Sequence, residues 1–108
     1  MRTSYFAKYR HLHLNDGISI ALSAPIEIET YPDLFPTWKM LSEYKKTKNK
    51  EQYIQEYSQI LNKLDPQKVC DDLKDKTILC WESSEKFCHR HLVADWLREK
   101  LGVKIKEI

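Results

Sequence analysis

The sequence predicts a small α/β domain: a partly parallel sheet of about four strands covered by about four helices. Three observations carry this reading. Short β-branched or aromatic runs alternate with helical periodicities, one well-delimited strand–loop–helix–strand unit closes the chain, and 108 residues make one core rather than two. The domain is therefore expected to span residues 1–108. A composition of 42% hydrophobic and 31% charged residues, with two glycines and four prolines, excludes collagenous, low-complexity and disordered classes.

Residues 3–7, Thr-Ser-Tyr-Phe-Ala, are rich in β-formers and predict a first strand. A polar, basic stretch follows, closed by a turn at Asp16 and Gly17. Residues 18–24 form an apolar run stopped by Pro25, as in a strand buried on both faces. Pro25, Pro32 and Pro36 then mark a loop, because each ring fixes φ and removes a backbone donor. From Thr37, Trp38, Leu41 and Tyr44 step at helical spacing to about Lys46, with Pro36 placed in the first turn. Tyr53, Tyr57, Ile60, Leu61 and Leu64 share one stripe of a second helix, which makes these tyrosines core residues. Asp65 and Pro66 read as a cap and first helical position, opening a short third helix with Val69, Cys70 and Leu73.

Residues 77–81, Thr-Ile-Leu-Cys-Trp, predict a buried strand, and residues 82–86 have loop composition. Leu92, Val93, Trp96, Leu97 and Leu101 define the last helix, with Gly102 at its left-handed C-cap. Residues 103–108 alternate apolar with polar and predict an edge strand.

A formal charge of +2 is too near balance to identify a nucleic-acid or membrane partner. No apolar run approaches the roughly 20 residues that cross a bilayer, so no membrane partner is expected. Three cysteines, Cys70, Cys80 and Cys88, form no secreted disulfide pattern; reduced thiols and a cytoplasmic setting are expected.

Chemistry concentrates between residues 80 and 91. A strand ending at Cys80, Trp81 and Glu82 leads to Cys88, His89, Arg90 and His91 at a helix start, where unpaired N–H groups attract anions. Arg90 is a candidate clamp for phosphate or carboxylate, with Cys80 and His91 as the other candidate ligand-binding residues. Cys88, beside His89, Arg90 and the positive helix end, is the candidate nucleophile; Glu82 or His89 is the acid/base partner. A plainer reading pairs Arg90 with Glu82 or Glu85, leaves His91 exposed, and makes Cys70 and Cys80 core packing. Cysteines separated by nine and seven residues lack the tight pairs of structural zinc sites, so no metal is expected. With two glycines there is no phosphate loop, and no cofactor is implied.

Basic and aromatic residues also mingle near Lys8, Tyr9 and Arg10, and again from Lys39 through Tyr44, Lys45, Lys46, Lys48 and Lys50. The first fifteen residues hold Arg2, Lys8 and Arg10 and no acid, which suits a phosphate backbone with aromatic stacking beside it, and the second segment is a candidate surface for nucleic acid or protein.

Residues 78–82, Ile-Leu-Cys-Trp-Glu, with residues 87–97, Gly102 and a closing strand, resemble the signature of the domain-of-unknown-function 488 family. In that family a strand ending in Cys-x-Glu precedes Cys-His-Arg at a helix start. Residues 3–7, 18–20, 34–36 and 51–57 resemble its shorter bacterial and phage branch. The resemblance implies a compact α/β domain whose Cys80, Glu82, Cys88, His89 and Arg90 occupy signature positions. It implies no particular reaction, and the Asp-x-Arg strand of the larger members has no counterpart in residues 18–22. The expected function is an anion site at residues 80–91 for a phosphate-bearing small molecule or nucleic acid, acting as a Cys-dependent enzyme on a nucleotide or nucleic acid. The alternative is a non-catalytic nucleic-acid- or protein-binding module using the basic 39–50 surface.

Overall fold

The computed structural model describes residues 1–25 and 27–108. In chain order the elements are β1 (Arg2–Tyr5), α1 (Phe6–Leu12), β2 (Gly17–Ser19), β3 (Glu29–Thr30), a 3-10 turn (Pro32–Leu34), α2 (Trp38–Thr47), α3 (Lys50–Asn62), α4 (Pro66–Asp72), β4 (Thr77–Cys80), α5 (His89–Leu101) and β5 (Lys106–Glu107). Among the described residues the five strands form one sheet in the order β3-β2-β4-β1-β5. Every pairing is parallel, so the α/β class holds and the sheet is fully rather than partly parallel.

The central strand β4 shows why both faces are covered. Ile78 joins a large core made with α2 to α5, whereas Leu79 joins a smaller one with Phe6 and Tyr9 of α1. Successive side chains of a strand point to opposite faces, so an unbroken apolar strand needs a layer on each side.

Helix α1 takes over the last two residues of the expected first strand, Phe6 and Ala7, and part of the polar, basic stretch after it. Phe6 and Tyr9, three apart, bury one face, and the Tyr9 hydroxyl accepts a hydrogen bond from the Gly17 N–H. The run from Ile18 is a strand only through Ser19; Ile20 continues by donating its N–H to the Leu79 carbonyl at 3.1 Å. Glu29 and Thr30 add a two-residue edge strand where only loop was expected. Helix α2 is capped by Thr37, whose side chain accepts from the Met40 N–H at 3.1 Å, so Pro36 precedes the cap rather than sitting in the first turn. The remaining helices follow the expected stripes: Tyr53, Tyr57 and Leu61 of α3 are buried. The closing edge strand is shorter than its alternating pattern, since only Lys106 and Glu107 reach ladder register with β1.

Among the described residues no helix is long and apolar enough to cross a membrane.

Candidate functional site

The carboxyl ends of β2 and β4 meet the amino end of α5, and there the signature residues converge. Cys80 is the last residue of β4, and Cys88 is the N-cap of α5. Cysteine makes a poor cap, and its side chain forms no capping hydrogen bond here, so helix stability does not explain its presence.

The sulfurs of Cys80 and Cys88 are bonded as a disulfide, and Cys70 is free. This corrects the expectation of three reduced thiols: spacing along the chain gave no sign of a pair that the strand–loop–helix return brings together. As bonded, Cys88 is not a nucleophile, and that role requires reduction first.

His89 is buried against the ring of Tyr57, with centroids 5.5 Å apart. Its Nε2 lies 2.7 Å from the Ile20 carbonyl and its Nδ1 3.7 Å from Cys88 Sγ. The carbonyl can only accept, so Nε2 carries the proton and donates, leaving the Nδ1 lone pair facing the sulfur. Burial lowers the imidazole pKa to about 4, outweighing the carbonyl contact, so the ring is neutral near pH 7.

Arg90 is fully buried, and its guanidinium is engaged by groups of the protein itself. Nε and Nη2 hold the two oxygens of Glu107 at 3.1 and 2.8 Å. Nη1 donates to Cys80 Sγ at 3.0 Å and to the Glu82 carbonyl at 2.7 Å. These contacts use four of the five donors of an arginine. The expected pairing with Glu82 or Glu85 is thus replaced by Glu107, and Glu82 contributes only its backbone oxygen. Glu107 also accepts from Thr3 and Ser84, and these donors with Arg90 hold its carboxyl down at about pKa 2 despite desolvation. No local spacing in the sequence links Glu107 to Arg90, because β5 reaches it only through the sheet.

His91 is half-buried rather than exposed, with an unpartnered Nε2 and a pKa lowered by burial and by nearby Arg90. It does not line the cleft described next.

Beside the disulfide opens a cleft of about 740 Å³. Cys80, Cys88 and His89 lie on its wall with Glu82, and the basic segment reaches the same space through Lys45, Lys48 and Lys50, joined by Lys86. Its aromatic residues were largely missed from sequence. Trp38, read as part of an apolar stripe, is 66% exposed, and Trp81, read as the end of a buried strand, is 50% exposed. Trp81 is held in place by donating Nε1–H to the Ser23 carbonyl at 2.8 Å and by edge contact with Phe6. Lys48 sits 5.6 Å from the Tyr44 ring centre and Lys50 sits 5.9 Å from that of Phe87.

No curated protein and no solved structure matches this chain. Residues 19–101 match a family model described as "Active DUF488-N3 subclade". That span begins at the last residue of β2 and takes in β3, β4, the disulfide and all of α5, which is most of the sequence. The chain belongs to the DUF488 family.

Proposed function

We propose that this protein binds a nucleotide or a nucleic-acid strand in the cleft and acts on it through chemistry that depends on Cys88 and His89. One observation carries the reading. Lys45, Lys48 and Lys50 of the basic surface and Cys80, Cys88 and His89 of the signature junction, which look like competing sites along the sequence, line a single cleft. Four lysines there stand against Glu82 and Glu85, an excess that attracts phosphate. Exposed Trp38 and Trp81 offer flat faces for base stacking. Arg90 supports such a site indirectly: paired with Glu107 and bonded to Cys80 Sγ, it orients the cluster rather than clamping the ligand.

The non-catalytic module draws on a different observation, the bonded state of Cys80 and Cys88. Both readings expect binding, and only the first expects turnover after reduction.

Fluorescence anisotropy with short labelled single-stranded DNA and RNA tests the binding. Log Kd should rise linearly with log salt, and each of Lys45→Gln, Lys48→Gln and Lys50→Gln should lower the slope by about 0.7. Trp81→Ala should weaken binding by roughly 5- to 150-fold, the equivalent of about 1–3 kcal/mol for one lost stacking contact. Binding without salt dependence, or lysine variants indistinguishable from wild type, would overturn the proposal. Chromatography of nucleotides and oligonucleotides incubated with reduced wild type and Cys88→Ala then separates enzyme from module.

A further inference from the structure

We propose that the reduced protein binds one thiophilic divalent cation of the zinc class through Cys80 Sγ, Cys88 Sγ and His89 Nδ1, with a fourth position open to the cleft. The three ligand atoms lie within 4.8 Å of one another, and all three residues are buried. Tetrahedral coordination, with Zn–S of about 2.3 Å and Zn–N of about 2.05 Å, sets sulfur and nitrogen roughly 3.6 Å apart. Cys88 Sγ and His89 Nδ1 stand 3.7 Å apart.

Three features around the cluster fit a metal better than packing alone. His89 donates its other ring nitrogen to a backbone carbonyl, which fixes the ring and leaves Nδ1 as an unprotonated ligand. Arg90 donates to Cys80 Sγ at 3.0 Å, favouring the thiolate that a metal needs, while Glu107 neutralises the guanidinium. The Cα atoms of Cys80 and Cys88 are 7.3 Å apart, beyond the roughly 4.4–6.8 Å usual for disulfides, so the backbone can seat separated sulfurs about an ion.

Three protein ligands facing a cleft is the arrangement of a catalytic rather than a structural zinc site, whose fourth position takes water or substrate. The oxidised pair cannot bind. A dithiol must first deliver two electrons and two protons to the disulfide, itself becoming a disulfide; each cysteine thiol then releases its proton to solvent as the metal binds. Ligation and attack by a free Cys88 thiolate are alternative uses of one sulfur. The inference does not rest on nucleic-acid binding, which is read at the lysines and tryptophans and can fail while metal binding stands.

The test is anaerobic titration of dithiothreitol-reduced, desalted protein with Co²⁺, followed by absorption. One cobalt per chain is expected, with an intense near-ultraviolet thiolate charge-transfer band and visible bands of tetrahedral strength, displaced stoichiometrically by Zn²⁺. Cys80→Ser and Cys88→Ser should abolish the charge-transfer band or cut it by about half, His89→Ala should weaken affinity at least tenfold, and Cys70→Ser should change nothing. The oxidised wild type should take up no cobalt, a control that stands even if a variant does not fold. Absence of uptake by the reduced protein, equal uptake by oxidised and reduced forms, or a band lost with Cys70 and kept without Cys88 would each overturn the assignment.

Discussion

Replacing Glu107 with Ala would strip the buried Arg90 of its counter-charge, and two routes give the size of the effect. Arg90 is fully buried and Glu107 is 24% exposed, so solvent screens the pair poorly. Removing one member of a buried ion pair costs about 3–5 kcal/mol, because the remaining charge is stranded. Independently, the Glu107 carboxyl is lowered from 4.5 to about 2, and at about 1.4 kcal/mol per pH unit that shift corresponds to roughly 3 kcal/mol of folding stability. For a domain of this size such a loss lowers Tm by roughly 10–20 °C. Because the folded pKa is depressed, the contribution is full above the unfolded value near 4.5 and disappears as pH falls toward 2. Circular-dichroism melts of wild type and Glu107→Ala between pH 7 and pH 2 should therefore show a gap that is wide at pH 7 and narrows through that window. The double variant Arg90→Met/Glu107→Leu should lose less than Glu107→Ala, since no charge is left stranded. A Tm change under about 3 °C at pH 7, or a gap independent of pH, would refute the reasoning.

Two further substitutions probe the packing that positions the site. A Cβ on Gly17 would stand 2.7 Å from Tyr9 Cζ and 2.8 Å from Leu79 Cδ1, so Gly17→Ala should destabilise by about 1–3 kcal/mol in urea titrations. Tyr57 is fully buried and donates its hydroxyl to the Leu34 carbonyl at 2.7 Å; Tyr57→Phe leaves that oxygen unpaired and should cost about 1–3 kcal/mol by the same measurement.

Local rules were enough for much of the chain. The stripe of α3, the Asp65 cap of α4, the apolar β4 and the Gly102 terminus of α5 depend on neighbours within a turn or two, and each is legible in order along the sequence. The same locality marks residues 80–91 as the chemical segment. Helix α1 escaped because its two apolar anchors, Phe6 and Tyr9, sit among cations, and only contact with Leu79 and Gly17 makes that short face worth burying. Trp38 and Trp81 were misplaced for the opposite reason: hydrophobicity predicts burial, yet a cleft wall keeps large apolar faces in water.

The sequence by itself thus determined the α/β class, the main helices and the family signature. Tertiary structure decided who meets whom. The link from Arg90 to Glu107 and the link from His89 to the Ile20 carbonyl join residues 17 and 69 positions apart. The merging of the lysine segment with the cysteine cluster likewise exists only after parallel strands and their crossovers set the distances. Periodicity records which face a residue presents; it holds no information on which distant residue will stand opposite, and a binding cleft is made of such encounters.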